Sequence, residues 1–282
     1  MHRRFALLST TALTLAPFAA RAQSEPAVSQ PDTVEPAPSP RSEDVARPWL
    51  YNDDPTIPSQ WHAVVSLRDT VSGNDRSVTR PFASHEDGIG GQLGVDAQVG
   101  LHRMLALDVS GVVGGFGDGV AGGMTAGLRL APFADAKHGF RLAIAAGYLR
   151  DLDTQSGVYG RVTGSYDVGR LRLSAMVHGE HVFRAAGDAL DVFATVGASV
   201  RLHPIFRLGV EYVVEDIEEA WATDAAAAPV PGAAEGGVHQ FVGLGGSLVL
   251  LDKRLFINLG PALALSYATV TPVGRAVVAY SF

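Results

Sequence analysis

The chain has 282 residues, of which 47% are hydrophobic and only 18% charged, with 32 Gly, 16 Pro and no Cys. The apolar content excludes chain-wide disorder, the missing cysteine excludes disulfides and thiolate metal sites, and a formal charge of -7 argues against a general nucleic-acid binder. What needs explaining is a Gly- and Ala-rich chain, weakly hydrophobic on average, whose main body holds no apolar run long enough for a membrane helix.

Residues 1–22 read as a secretory signal peptide. His2, Arg3 and Arg4 give a basic start, an apolar stretch runs from Phe5 to Ala20, and Ala20, Arg21 and Ala22 form a small-x-small cleavage pattern. Cleavage there removes Arg3, Arg4 and Arg21 and takes the formal charge from -7 to -10. Residues 23–58 carry Pro26, Pro31, Pro36, Pro38, Pro40, Pro48, Pro55 and Pro58 among Ser, Glu and Asp, which predicts a disordered Pro-rich linker.

From residue 59 to 282 the period is two. Strands are predicted near residues 61–69, 88–101, 104–114, 120–130, 140–150, 158–168, 171–183, 192–202, 206–215, 238–250, 255–267 and 274–282. About twelve strands of roughly ten residues are what a tilted, bilayer-crossing barrel uses. One phase of each strand is apolar and is expected to carry no Asp, Glu, Lys or Arg, with Gln240 and His181 as polar exceptions at strand ends. The other phase is mostly Gly, Ala and Ser with sparse charges, which suits a confined lumen better than a solvated sandwich face. Aromatics on the apolar phase (Trp61, Phe140, Tyr148, Tyr166, Phe183, Phe206, Tyr212, Tyr267, Tyr280 and Phe282) fall near strand ends, as two interfacial girdles would. The fold expected is therefore all-β: a transmembrane antiparallel up-and-down barrel.

The connections give an orientation. Those at His102-Arg103, Gly169-Arg170, His203-Ile205 and Leu251-Arg254 are short turns that all fall at one end, with Ala131 to Gly139 a longer turn beside them. The long connections, Thr70 to Asp87 and Asp216 to Gly237, fall at the other. With the short turns on the periplasmic side, both chain termini lie in the periplasm.

The closing segment, Gly274 to Phe282, ends in Phe282 with Tyr280 two residues before it and apolar residues at every second position. In this the chain resembles bacterial outer-membrane β-barrel proteins of the porin-like class. The resemblance covers Trp61 to Phe282 and implies an outer-membrane location, contact with outer-membrane lipid and lipopolysaccharide, and recognition of the strand carrying Tyr280 and Phe282 by the barrel assembly machinery. It indicates no individual family and no oligomeric state.

Charges on the inward phase gather near the periplasmic strand ends. Hairpin registers place Asp167 opposite Arg172, Arg129 opposite Arg141 and Arg201 opposite Arg207, with Asp108 nearby. Five arginines against two carboxylates suggest a constriction that attracts anions. The plainer alternative is a structural network completed by other lumen carboxylates such as Asp96, Glu180, Glu211 and Glu215. A further possibility is that the linker, where Glu25, Asp32, Glu35, Glu43 and Asp44 outnumber Arg41 and Arg47, folds back against this basic mouth as a partial plug.

Enzyme signals are sparse. No His-x-Ser occurs; the nearest pattern, His178-Gly179-Glu180, lies on the inward phase beside Arg161 and Tyr159, and His181 sits with Phe183 on the lipid phase. Glu215, Asp216, Glu218, Glu219 and His239 could meet at the outer rim, yet acidic loops bridged by divalent ions to lipopolysaccharide account for them equally well. The nine histidines show no metal-ligand spacing, so no cofactor and no metal is expected. Three functions are ordered accordingly: a narrow porin-like channel for small polar or anionic solutes, a non-conducting structural or surface-interaction barrel working through its extracellular loops, and an outer-membrane hydrolase.

Overall fold

The computed structural model describes residues 54–72, 91–116, 119–133, 139–152, 155–183, 190–215, 217, 239–265 and 270–282. The expected signal peptide, most of the linker and most of both long connections lie outside these residues. Twelve strands follow one another: β1 Ala63–Ser72, β2 Gly91–His102, β3 Leu105–Phe116, β4 Gly119–Phe133, β5 Phe140–Asp151, β6 Ser156–Val168, β7 Leu171–Val182, β8 Leu190–His203, β9 Phe206–Glu215, β10 His239–Leu250, β11 Leu255–Leu265 and β12 Val270–Ser281. Each pairs antiparallel with its sequence neighbours, and β1 pairs with β12, so the sheet closes and leaves no edge.

Sorting each strand by side decides what the barrel presents outward. In β7, Leu171, Leu173, Val177 and His181 are exposed while Arg172, Met176, His178, Glu180 and Val182 are buried, and the same alternation runs through β6 and β11. A soluble protein would bury its aliphatic residues; here Leu, Val and Ile in the strand middles are exposed all round the ring. Such a surface is stable only in lipid. Val177, midway along β7 and 51% exposed, gives a test: Val177→Arg should cost about 2–4 kcal/mol in denaturant unfolding from phospholipid vesicles.

Aromatic side chains bracket this band. Trp61, Phe140, Tyr166 and Phe282 are exposed at the end carrying the short turns, called here the turn end, and Tyr148, Phe183 and Tyr212 at the opposite, loop end. Phe133 joins the first set, 6.4 Å from Phe140 by ring centroids. At the loop end the polar tips find partners: the Tyr212 hydroxyl donates to Gln240 Oε1 at 2.8 Å, and the His181 ring packs edge-on against Phe183.

Two expectations need correction. The lipid-facing phase is not free of charge, because Asp69 in β1 and Arg150 in β5 are both exposed on it. Both lie in the loop-end part of their strands, Arg150 two residues beyond Tyr148, where interfacial placement makes a charge tolerable. Secondly, Arg129 faces Ala145, not Arg141. β4 continues through Ala131 and Pro132 to Phe133, which pairs with Leu142, instead of turning at Ala131; Arg129, four residues earlier, therefore falls well past Arg141, and the register shift between Leu130 and Phe133 changes its partner by only one residue. A bulge lets a strand absorb a proline that cannot donate to the ladder.

Candidate functional site

The inward face is divided by chemistry. Towards the loop end it is apolar, with Leu149, Tyr159 and Val182 packed together on one side and Val213, Phe241, Ala264 and Val273 on another. Thr163 and Thr195 are buried around the middle, and Ser165, Ser199 and Ser247, also buried, stand directly opposite Arg141, Arg172 and Arg207 nearer the turn end. Asp54, Asp108, Asp167 and most of the inward arginines lie towards the turn end, while Glu180 is buried beside the loop-end cluster. The expected small, bland lumen therefore describes its middle and not its apolar upper part.

Strand pairing places the charged cluster. Asp167 near the end of β6 and Arg172 at the start of β7 are direct cross-strand partners across the Gly169-Arg170 turn. Arg172 meets Asp167 in a two-pronged contact, Nε to Oδ1 at 2.6 Å and Nη2 to Oδ2 at 3.0 Å. Arg141 of β5 donates from Nη1 to Asp167 Oδ2 at 2.7 Å. One carboxylate thus holds two guanidinium groups, both nearly fully buried. Asp108 of β3 does the same for Arg129 of β4 (Nε to Oδ2, 2.8 Å) and for Arg161 of β6 (Nη2 to Oδ2, 3.0 Å), and accepts from Gln98 Nε2 at 2.9 Å. The Arg161 contact joins strands that are not neighbours, so the cluster bridges the lumen wall. Arg201 and Arg207 are opposite one another as expected; Arg207 lies against the Ser199 hydroxyl and carbonyl at 3.4 and 3.5 Å.

Nearer the middle, Arg68 and Asp96 form a separate pair to which the Ser66 hydroxyl also donates. His178 and Glu180 are inward, with Arg161 and Tyr159 as their cross-strand partners. His178 Nε2 lies 2.7 Å from Glu180 Oε1, and its ring is stacked between Tyr159 and Phe193, with centroids 5.7 and 4.7 Å away. The imidazole is thus clamped against the inner wall.

The sequence reading missed one member of the turn-end cluster. Asp54, seven residues before Trp61, is buried. Its carboxylate Oδ2 is 3.4 Å from Arg172 Nη1, and its backbone carbonyl accepts from Arg129 Nη1 at 2.9 Å. The signal available was Asp54-Pro55-Thr56: an Asp before Pro starts turns, and here Oδ1 accepts from the Thr56 backbone N–H at 2.8 Å. Glu211 is inward and buried, whereas the loop residues Asp216, Glu218 and Glu219 lie outside the described residues.

No protein-family model matches the chain, and no curated protein sequence matches it either. Solved structures do. The COG4313 outer membrane channel from Pseudomonas putida F1 superposes with a TM-score of 0.54 at 10% identity, covering 80% of this chain and 97% of the other. The NanC porin gives 0.51 at 6% identity, covering 77% and 98%, and the KdgM porin 0.50 at 9%, covering 78% and 99%. The fold is that of outer-membrane channel barrels. At such identities the likeness speaks for architecture, so what passes through the barrel has to be argued from this chain's own lumen.

Proposed function

We propose that this protein sits in the bacterial outer membrane with its turn end and N-terminal segment in the periplasm, as a narrow porin-like channel for small polar solutes that prefers anions. The observation that carries the reading is a charge imbalance at one level of the lumen. Arg129, Arg141, Arg161 and Arg172, four guanidinium groups, are gathered on three carboxylates, Asp54, Asp108 and Asp167, and Arg201 and Arg207 stand opposite one another towards the same end. Excess fixed positive charge inside a low-dielectric wall raises the local anion concentration. The neighbouring folds support it, since they include porins, and the KdgM porin has been solved in complex with disordered oligogalacturonate.

The ion pairing of Arg129, Arg141, Arg161 and Arg172 favours the second reading, a barrel whose lumen is a structural network and does not conduct. Planar-bilayer recording separates the two. The channel reading expects conductance steps and, in a salt gradient, a reversal potential of anionic sign that moves towards cations in Arg141→Glu with Arg207→Glu. Absent steps at every voltage would sink it. We read the protein as a conduit and not a hydrolase because the His178 ring, which meets Glu180, is held between the rings of Tyr159 and Phe193. The closing strand supports recognition by the assembly machinery: Tyr280 and Phe282 pack edge-on at 4.9 Å, and the Phe282 N–H donates to Ala63 at the β12–β1 seam.

A further inference from the structure

The segment before β1 does not leave the barrel wall outward. Trp61 adopts a left-handed backbone (φ 64°), which turns the preceding residues away from the line of β1. A bulky residue holds that conformation only when its surroundings over-determine it. Here they do: the Trp61 N–H donates to the Gly100 carbonyl at 2.7 Å, the Gly100 N–H to the His62 carbonyl at 3.0 Å, and the His62 N–H to the Ser59 carbonyl at 2.9 Å. Gly100 is the seat of the turn, since a Cβ there would lie 2.2 Å from the Ser59 carbonyl oxygen and 2.4 Å from that of Pro58. Beyond it Pro58, Pro55 and Asp54 are buried. Asp54 ends against Arg129 in β4 and Arg172 in β7, and β7 stands six strands from β1 whichever way the ring is followed. The strap therefore reaches across the mouth.

We infer that Arg129 and Arg172 form a carboxylate-binding subsite at the turn-end mouth, held in this state by the protein's own Asp54 and taken over by the carboxylate of an incoming solute. The ligand class follows from the occupant: a carboxylate that accepts from Arg172, flanked by a carbonyl oxygen that accepts from Arg129. Arg129, which meets Asp108 through Nε, and Arg172, which meets Asp167 through Nε and Nη2, each turn Nη1 to Asp54. An internal carboxylate at high effective concentration weakens the apparent affinity for an external one by the fraction of time it is bound. The strap would thus set a threshold, admitting anions only when their concentration displaces Asp54. As a substrate gate this rests on the channel reading; as a binding site it does not.

The test is calorimetric titration of glutarate into the full-length protein in detergent, at constant ionic strength, with folding checked by heat-modifiable electrophoretic mobility. Asp54→Asn should bind glutarate about tenfold more tightly than wild type. Gly100→Val, which dislodges the strap without touching an arginine, should do the same. Adding Arg172→Gln to Asp54→Asn should abolish the gain. Equal affinity in wild type and both single variants overturns the subsite, as does a gain that survives Arg172→Gln. Bilayer recordings of the same proteins report on the channel separately: tighter glutarate binding without conductance leaves the subsite standing and removes the channel.

Discussion

Asp167→Ala should weaken the folded barrel by about 3–5 kcal/mol, the largest loss expected from a single charged residue here. Asp167 is the shared acceptor of Arg141 Nη1 and of both Nε and Nη2 of Arg172, and both arginines are almost completely buried. Removing the carboxylate leaves two guanidinium groups side by side in a confined lumen. Neither can lose its proton, so the cost is repulsion plus unmet hydrogen bonding. Asp167→Asn keeps one acceptor oxygen and should lose less. Asp167→Ala combined with Arg141→Met should recover part of the loss, because the variant pair removes the uncompensated charge; strict additivity would show that the contact carries no coupling. Equilibrium unfolding from vesicles measures all three. The surviving Asp167→Ala barrel should also be the more anion-selective one, since the lumen gains a net positive charge.

The same cluster shows which parts of the site a sequence can disclose. Asp167 with Arg172 was legible because a two-residue turn at Gly169-Arg170 fixes the register, and Gly169 itself takes the left-handed conformation that the turn requires (φ 61°). Arg201 also faces Arg207, but through a register shift between Arg201 and His203 next to the turn. Arg129 with Arg141 failed because the turn was placed at Ala131, where a proline at 132 reads as a strand end; the bulge that lets β4 run on to Phe133 has no signature in residue periodicity. The Arg161–Asp108 contact was beyond reach for a different reason. It joins β6 to β3 through the lumen, and neighbour registers say nothing about which long side chains meet across a cavity. Asp54 was hidden by composition: a Pro-rich segment cannot make a core of its own, but it can lie against one that already exists.

The fold was more legible than the site, since closure of an alternating sheet depends on a pattern repeated twelve times, and a slipped boundary changes little. Where the pattern says nothing is the packing of the inward face. An Ala, a Gly and a Val look equally bland in sequence, yet the glycines of the two faces are not interchangeable. Gly274 and Gly160, which face outward, have open space where a Cβ would stand. Gly127 and Gly147, a cross-strand pair on the inner wall, have none.

That difference predicts that Gly147→Val yields no folded, heat-modifiable barrel. A Cβ at Gly147 would stand 2.3 Å from the Ala126 carbonyl oxygen, 2.5 Å from Gly127 Cα and 2.7 Å from Tyr159 Cε1. The first two obstacles are backbone of β4 and cannot rotate away. The third is the edge of an aromatic ring that lies over the glycine pair, and its hydroxyl would be 2.4 Å from a Cβ at Gly127. Glycine on the inner wall lets neighbouring backbone and one large ring approach closely, a device that also bends strands in barrels. Tyr159 in turn supports the His178 and Phe193 stack, so its displacement reaches β7 and β8. Truncating the ring should be milder: Tyr159→Ala should cost about 3–5 kcal/mol, as large-to-small core changes do, while leaving a closed barrel. The double variant, Gly147→Val with Tyr159→Ala, decides which obstacle matters. If the ring alone stood in the way, the double variant would fold; because two of the three close contacts are with β4 backbone, it should remain unfolded, and recovery of the folded band would mean that β4 and β5 can part without opening the barrel.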